Sequence, residues 1–330
     1  MYCRIQSGCS ILIFPNIKIM KLSAEEISKH KDPFFRTFLL YLNDLIGEKW
    51  NIVYKVHRPR SGHRENIENI DKKTALILWG DEESSVFPSL YFKAAGAIIK
   101  CYCPEAWCDK GIIPMTDGAM IYNPQDNTKP SLCSSRPYDV FFSANLNYRR
   151  TDIFRGLSNH SFGYPFRISS NYPKTGSYPL WHKIEAVLAH KIIVKMDRRR
   201  DFSHLYENSY IRFHDGFMQG GLSPEEYNHR MFNSKISWST AGFMTNETSR
   251  LIESAFAGTA VICGNLPSTP IYQGHPFHVI NDWRTIRKTT DMILNNQDYL
   301  NELGIRGREW FDSHFSPQAQ AERIAKVLSC

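Results

Sequence analysis

The feature that most constrains the fold is a strand–helix–strand pattern in the second half of the sequence. Strands are predicted at 235–239 (KISWS) and 259–263 (TAVIC), and a helix at 246–257, ended by Gly258, lies between them. This order is a complete βαβ unit, which implies two parallel strands joined by a helix. In such units ligands gather where the carboxyl end of a strand meets the N-terminus of the next helix. The connecting loop, 240–245, is therefore a candidate ligand-binding segment.

The same alternation of strands and helices runs through the rest of the chain and predicts an α/β fold with parallel sheets. Strands are predicted at 50–56, 74–79, 138–143 and 191–196, and helices at 33–46, at 179–190, from Ser223-Pro224 and from Ser316-Pro317. Residues 91–100 fit a helix or a strand, and the segment 104–137 is rich in Pro, Gly, Asn, Asp and Ser, as in a linker. We therefore predict two domains, 20–135 and 136–330, with a ligand site between them and a last helix able to pack back on the first.

The composition argues against several classes of protein. Of the 330 residues, 42% are hydrophobic and 13% aromatic, so the chain is globular rather than disordered. The net charge of +7 is moderate, and the densest basic run, 195–200, stands alone, so the basic stripe of a nucleic-acid-binding protein is missing. No apolar run approaches the roughly 18–20 residues that span a membrane. Residues 1–19 are predicted to be a disordered leader or a mis-assigned start.

The cysteines do not form a recognisable metal or disulfide pattern. Eight cysteines in 330 residues are too few for a disulfide scaffold. Cys101, Cys103 and Cys108 lie close together in the sequence, with Cys133 further on, but the C-x-x-C pair that a zinc site prefers is absent. Buried or free thiols in a reducing compartment are the favoured interpretation.

The helix predicted at 246–257 carries two charged residues three positions apart, Arg250 and Glu253. At about 100° per residue, its apolar residues share one face: Leu251, Ile252, Ala255 and Phe256. Arg250 and Glu253 fall together on the opposite face, with Asn246 and Ala257. They are either a surface ion pair, worth about 0.2–0.5 kcal/mol, or ligand-binding groups beside a helix N-terminus, where a loop containing Gly242 favours an anion.

The passage 227–267 resembles the C-terminal domain of GT-B glycosyltransferases, and most closely the exostosin family. The residues that match the family motifs are Tyr227, Ser234-Lys235-Ile236, Gly242, Ser249-Arg250-Leu251 with Glu253, and Gly258 with Val261-Ile262. The tail, 303–328, is similar to the closing helices of many GT-B enzymes. The resemblance covers about 138–328 and is most specific over 227–267.

The resemblance implies a GT-B fold, with two Rossmann-like domains facing a central cleft. It implies a hexosyl- or pentosyltransferase that moves a sugar from a nucleotide-diphosphate sugar, bound by the second domain, to a glycan or glycoconjugate acceptor on the first. Glu253 would accept the ribose hydroxyls and Arg250 would bind the diphosphate, with Thr248 and Ser249 beside them. Thr245 stands where many retaining enzymes have a glutamate, so the stereochemistry stays open.

Other candidate residues follow predicted strands. Asn145, Arg149 and Arg150 follow the strand at 138–143, and either arginine could neutralise the leaving diphosphate; the alternative is a solvated basic loop. His214, after an apolar stretch, contacts the donor or is an ordinary turn residue. If the reaction inverts the anomeric centre, a base must take the acceptor's proton. The candidates follow the strand at 74–79 or precede it: Asp81, Glu82, Glu83 and His57, with a solvated acidic turn as the alternative.

Metal use and location are predicted from weaker signals. The sequence has no Asp-x-Asp triplet, the pattern with which transferases of the other large fold hold a metal, so no metal cofactor is expected. A glycosylation triplet, Asn246-Glu247-Thr248, lies in the predicted donor loop, where a glycan would block the site. That favours a cytoplasmic enzyme. A glycan- or nucleotide-binding module that has lost its catalytic chemistry remains the alternative.

Overall fold

The computed structural model describes residues 27–56, 70–79, 89–119, 121–123, 129–146, 150–158, 188, 191, 200–214, 221–242 and 246–330. The leader predicted at 1–19 lies outside this part. Of the helix and strand predicted at 179–190 and 191–196, only 188 and 191 are described, and both are helical. Within these ranges no helix combines the length and the apolar character needed to cross a bilayer.

The first sheet is built by the N-terminal third of the chain. Its parallel strands follow the order of the sequence: β1 (Asn51–Val56), β2 (Thr74–Trp79), β3 (Ala97–Cys101) and β4 (Ile112–Met115). The helices of this region are α1 (Pro33–Ile46), α2 (Ser89–Phe92) and α3 (Glu105–Cys108). The two central strands, β2 and β3, are almost entirely buried, as expected of parallel strands covered on both faces.

The second sheet has the order β6-β5-β7-β8-β9, and its described strands are also parallel. They are β5 (Tyr138–Asn145), β6 (Tyr210–His214), β7 (Ser234–Ser239), β8 (Ala260–Cys263) and β9 (His278–Val279). The helices whose full extent is described here are α4 (Thr151–Ser158), α5 (Pro224–Asn233), α6 (Ser249–Phe256), α7 (Ile286–Leu294), α8 (Gln297–Trp310) and α9 (Pro317–Ser329). The predicted class, α/β with two Rossmann-like parallel sheets, is confirmed.

Local signals set the starts of several helices. Ser223 Oγ accepts a hydrogen bond from the Glu226 amide at 3.1 Å, and Pro224 occupies the first turn of α5. Ser316 caps α9 in the same way. Serine caps followed by proline satisfy otherwise unpaired amides and preset the helical φ. Both predicted starts are confirmed because they depend on neighbouring residues alone.

The last helix, α9, belongs to the core of the first sheet. Its apolar residues Ala321 and Ile324 pack in one cluster with α1 and the central strands. The buried Gln320 accepts a hydrogen bond from the Thr116 amide at 3.0 Å and donates to Thr116 Oγ1 at 2.7 Å. The end of the chain thus returns to the sheet that its beginning forms.

The prediction of a linker over 104–137 is wrong for its first part. Helix α3 and strand β4 lie within it, and β4 is fully buried. Strand β4 forms an edge of its sheet in the order given above, a position that tolerates the missing amide of Pro114. The abundance of Pro and Gly, which suggested a linker, here accompanies a short edge strand.

The ambiguous segment 91–100 divides into two elements. Helix α2 ends at Phe92, and β3 begins at Ala97. Between them Gly96 passes so close to Lys72 that a Cβ at this position would lie 2.1 Å from the carbonyl oxygen of Lys72. A tight turn that only glycine fits therefore separates the helix from the strand.

Candidate functional site

In the second sheet, the order in which the described strands are added reverses at β5. The chain goes from β5 to β6 on one side and later places β7 on the other side. Because these strands are parallel, the carboxyl ends of β5 and β7 share one edge, and open α/β sheets bind ligands at such a switch point. We call this the switch-point edge; it comprises 143–145, His214, 239–242 and the first turn of α6.

Arg150 joins the loops that follow β5 and β7. Its Nε donates to Thr240 Oγ1 at 3.1 Å and to the Ala241 carbonyl at 2.9 Å, and its Nη1 donates to the Asn145 carbonyl at 2.6 Å. The residue is 8% exposed. Losing these partners would leave a buried charge unpaired, which is costly. Arg150 therefore shapes the crevice, while its predicted contact with a leaving diphosphate stays a prediction.

Helix α6 directs its N-terminus at the same edge. Thr248 precedes the helix in an extended conformation, and its Oγ1 lies 2.9 Å from Ser239 Oγ at the end of β7. The Thr248 side chain does not cap the helix. The N-terminal turn of a helix carries amide donors and a partial positive charge. This part of the edge consequently favours an anion.

Arg250 reaches from the first turn of α6 to strand β5. Its Nη2 donates to the carbonyl oxygen of Ser143, and its guanidinium lies over the Phe142 ring, 5.4 Å from the centroid. Its Nε is buried and has no hydrogen-bond partner among the described residues. The guanidinium is thus held on one side and keeps a donor for a further group. Planar arginine donors suit the oxygens of phosphate or carboxylate.

Ser143 connects Arg250 to the neighbouring strand β6. Its Oγ lies 3.0 Å from Nε2 of His214, the last residue of β6. In the strand register, Asn145 lies opposite His214. The predicted residues Asn145, His214 and Arg250 therefore come together at one edge, although they are far apart in the sequence.

Glu253 lies further along α6 and is completely buried. Its Oε2 accepts a hydrogen bond of 2.6 Å from the hydroxyl of Tyr227 on α5. Burial, and then the charge of Glu253, raise the pKa of Tyr227 well above its ordinary value, while the guanidinium of Arg250 opposes this shift. A hydrogen bond to a charged group contributes about 1.5–3 kcal/mol. The pair of Glu253 and Tyr227 therefore links α5 firmly to α6.

The orientation predicted for α6 is wrong for Glu253. All residues from 251 to 256 are buried, and so are Asn246 and Ala257, which were expected on the polar face with Glu253. Periodicity predicts which face of a helix a side chain lies on. It does not reveal that another helix, here α5, packs against that face. The same burial rules out the surface ion pair as an explanation of Glu253.

The glycosylation triplet at 246–248 has no bearing on the location of the protein. The Asn246 side chain is fully buried, and its amide donates to the carbonyl oxygen of Asn265 at 2.5 Å. A side chain in this position cannot carry a glycan in the folded protein. The first triplet residue instead fixes the loop that leads into α6.

The first sheet has its own group of polar side chains at its carboxyl edge, which the sequence analysis missed. Trp79 ends β2, Tyr102 follows β3, and Asp117 follows β4. Asp117 Oδ1 accepts from the Trp79 indole at 2.6 Å, and its Oδ2 accepts from the Tyr102 hydroxyl at 2.7 Å. The sequence contains a signal for this group, since each residue ends or follows an apolar strand. The prediction of a linker over 104–137 conceals β4 and therefore the position of Asp117 at the same edge.

Lys100 of the first sheet lies within electrostatic reach of Glu247, which precedes α6. This lysine of β3 is completely buried, and its Nζ donates to the Cys101 carbonyl at 3.1 Å. Burial lowers the pKa of Lys100, and nearby negative groups that include Glu247 and Asp117 oppose the shift. Because Glu247 belongs to the loop that leads into α6, that loop approaches the edge of the first sheet.

Part of the predicted site lies outside the described residues: His57, Asp81, Glu82, Glu83, Arg149 and Thr245. Their roles stay predictions. Of the others, Gly242 is buried in the loop after β7, and Thr248 and Ser249 are half-buried at the start of α6. In the described ranges no group of three or more His, Cys, Asp or Glu side chains could hold a metal ion, and metal independence itself is untested.

Comparisons with known proteins give only structural likenesses. No family model matches the sequence, and no curated protein is similar to it. The similar solved structures include S. aureus TarM, at 13% identity over 79% of this chain and a TM-score of 0.42. They also include Anabaena HepE in complex with UDP and glucose, at 9% identity over 89% of this chain and 76% of HepE, with a TM-score of 0.42. Thermosynechococcus elongatus sucrose-phosphate synthase is similar at 10% identity over 91% of this chain and 79% of the synthase, with a TM-score of 0.45. This chain spans 55% of the length of TarM.

Proposed function

We propose that the chain is a GT-B glycosyltransferase that moves a sugar from a nucleotide-diphosphate sugar to a glycan or glycoconjugate acceptor. The proposal depends on the position of the Arg250 guanidinium at the switch-point edge. Its Nη2 donates to the Ser143 carbonyl, and its buried Nε has no hydrogen-bond partner among the described residues. The finer expectations belong to the same proposal: an exostosin-like, metal-independent hexosyl- or pentosyltransferase of the cytoplasm.

The diphosphate is proposed to bind between Arg250 and the N-terminus of α6. The helix dipole and the fork of Arg250 both favour its negative charge. As the sugar transfers, charge grows on the leaving diphosphate, and donors already in place stabilise that charge without reorganising. Arg150 maintains the shape of this edge by bonding the end of β5 and the loop after β7, and His214 does so by bonding Ser143 within β5.

Glu253 is proposed to accept the ribose hydroxyls, as the resemblance implies. The carboxylate is buried and already accepts a hydrogen bond from Tyr227. A nucleoside therefore has to join or displace Tyr227 at this carboxylate. Measuring nucleoside affinity in separate variants of Tyr227 and Glu253 distinguishes these two modes of binding.

The acceptor is proposed to bind at the carboxyl edge of the first sheet. The Trp79 indole, which stacks on the Phe35 ring with centroids 4.4 Å apart, donates to Asp117, and the half-buried carboxylate of Asp117 is oriented by two hydrogen bonds. Asp117 joins Asp81, Glu82, Glu83 and His57 as a candidate base for the acceptor hydroxyl.

A binding module without catalytic chemistry is the second candidate function. Both oxygens of Asp117 accept hydrogen bonds, from Trp79 and Tyr102, and such bonds stabilise the carboxylate and weaken it as a base. This alternative predicts the same nucleotide binding at Arg250 but no turnover.

The test is a thermal-shift screen of nucleotide-diphosphate sugars followed by an assay for release of the nucleoside diphosphate. A ligand at about 100 times its dissociation constant stabilises the protein by roughly 2.7 kcal/mol. We expect one nucleotide family to raise the melting temperature of the wild type and of Arg306→Ala, and to have little effect on Arg250→Ala. Arg306 is a suitable control because it pairs with Glu302 on the exposed face of α8. No stabilisation by any nucleotide sugar would refute the proposal.

A further inference from the structure

Two cysteines follow strand β3 and face each other. The sulfur atoms of Cys103 and Cys108 lie 3.6 Å apart and share a hydrogen bond, although the residues are five positions apart in the chain. A disulfide has an S–S distance of about 2.05 Å, so the sulfurs need to approach by only about 1.5 Å. The two sulfur atoms are thus already within van der Waals contact of each other.

The two thiols have different environments. Cys103 is 1% exposed, whereas Cys108 is half-buried and so can be reached by a small reagent. The hydrogen bond between them lowers the pKa of Cys108 and, together with burial, raises the pKa of Cys103. Cys108 is therefore the more acidic thiol of the pair, and thiolates are the form that reacts with oxidants.

A cation and a constrained backbone support this geometry. Arg323 of α9 lies close enough to Cys108 for the thiolate to oppose the burial that lowers the pKa of Arg323 to about 10. Tyr102, directly before Cys103, has a φ of 52° and donates its hydroxyl proton to Asp117. The left-handed backbone of Tyr102 sets the direction of the chain after β3, and the hydrogen bond to Asp117 stabilises this conformation.

The neighbouring cysteines have other partners. Cys101 is completely buried, and its thiol donates to the Thr116 carbonyl at 3.4 Å. Cys133 donates to the carbonyl of Gly258, in the second sheet's core. Of the four cysteines between 101 and 133, all of which the structure describes, only Cys103 and Cys108 therefore bring their sulfur atoms together.

We propose that Cys103 and Cys108 form a reversible modification site, which hydrogen peroxide converts into an intramolecular disulfide. The Cys108 thiolate attacks one peroxide oxygen, so that an S–O bond forms, the O–O bond breaks and hydroxide leaves to become water. The sulfur of Cys103 then loses its proton and attacks the Cys108 sulfur, so that the S–S bond forms and a second water leaves. Two thiols lose two electrons and one peroxide becomes two waters. An external dithiol restores the reduced pair by exchange.

The experiment uses the full chain and one tryptic peptide. Cleavage after Lys100 and Lys110 yields the peptide 101–110, which contains Cys101, Cys103 and Cys108. After peroxide treatment and alkylation, we expect this peptide to be two hydrogens lighter with a single alkylated cysteine, Cys101. Dithiothreitol treatment before alkylation should return it to the fully alkylated form.

Two variants identify the partners. In Cys101→Ser the lighter peptide should form as in the wild type, whereas in Cys103→Ser it should be absent and Cys108 should accumulate the sulfinic acid. Fragmentation of the wild-type peptide in the mass spectrometer checks the pairing even if a variant fails to fold. A disulfide between Cys103 and Cys108 keeps the two pieces joined, so breaking a peptide bond between these residues should release no separate fragments. A lighter peptide in Cys103→Ser, or a wild-type peptide that stays fully alkylated under peroxide, would overturn the proposal. The inference is independent of glycosyl transfer.

Discussion

The carboxyl edges of the two sheets are chemically different. The edge of the first sheet follows strands in sequence order and presents an indole, a phenol and a carboxylate, from Trp79, Tyr102 and Asp117. The edge of the second sheet lies at a switch point and presents guanidinium groups and a helix N-terminus, with Arg150 and Arg250. The described strands of both sheets are parallel, so the two edges differ in strand order and in the side chains that follow the strands.

Under the proposed function, this difference in side chains suits the two edges to different ligands. A cationic edge at a helix N-terminus favours a phosphorylated ligand, and an aromatic ring beside a carboxylate suits an uncharged polyhydroxy ligand. Glu247, from the loop before α6, approaches Lys100 in the first sheet. The proposed transfer requires ligands at the two edges to lie close to one another, a requirement that this electrostatic proximity supports.

The largest effect is expected on turnover at the first edge. Removing a general base costs about 10²–10⁴-fold in rate, so Asp117→Asn should lose this much if Asp117 is the base, with nucleotide affinity unchanged. Asp81→Asn, Glu82→Gln and Glu83→Gln are measured beside it by steady-state kinetics. The control is Asp312→Asn, which removes an exposed carboxylate that pairs with Arg308 near the end of α8. Wild-type rates in all four variants would show that none of these carboxylates is the base.

The next effect concerns phosphate binding at the second edge. Arg250→Ala loses one or two charge-assisted hydrogen bonds of about 1.5–3 kcal/mol each, so its affinity for a nucleoside diphosphate should fall by roughly tenfold to a few hundredfold. Affinity for the bare nucleoside should not change. Calorimetric titration measures both, with Arg306→Ala as the matched surface control. Equal losses for nucleoside and diphosphate would contradict the assignment of Arg250 to phosphate.

A smaller effect is expected on the stability of the second edge. Glu253→Ala leaves the Tyr227 hydroxyl without its acceptor and should lower the free energy of unfolding by about 1–3 kcal/mol. Glu302→Ala, which breaks an exposed pair, should cost about 0.5 kcal/mol or less. Urea denaturation compares the two. Nucleoside titration of Tyr227→Phe then separates the roles: retained affinity there, with lost affinity in Glu253→Ala, assigns the ribose to Glu253.

The pH dependence of stability tests the same pair of residues. The folded protein holds the Tyr227 proton more tightly than the unfolded chain, because its pKa is raised. The unfolded state therefore binds fewer protons above about pH 10, and stability should fall with rising pH by up to about 1.4 kcal/mol per unit. Below that pH the contribution is fully present. Tyr227→Phe should show a shallower loss in alkaline urea titrations, and an identical slope would contradict the buried hydrogen bond.

No effect is expected from removal of divalent metal. If donors such as Arg250 stabilise the leaving diphosphate, turnover should survive EDTA unchanged. Complete loss with EDTA, restored by manganese, would mean that a metal supplies the positive charge at the second edge.

The elements most accurately predicted are those set by neighbouring residues. The bounds of α1 and β2 agree with the predicted 33–46 and 74–79, and the serine caps of α5 and α9 are observed. The βαβ unit that places the candidate ligand loop is also observed, as β7, α6 and β8, whereas ligand binding by that loop stays a prediction. Strand β4 was missed because a short edge strand with Pro114 has the composition of a loop.

The sequence by itself determined the alternating elements, the two parallel sheets and the positions of Arg250 and Glu253 on one helix. Only the tertiary structure decided what surrounds those two residues. Tyr227, 26 positions before Glu253, covers the carboxylate, and Ser143, 107 positions before Arg250, orients the guanidinium. Periodicity is a property of a segment, whereas burial and hydrogen bonding depend on which other segments pack against it. For that reason the sequence could nominate candidate site residues, but it could not predict their environment.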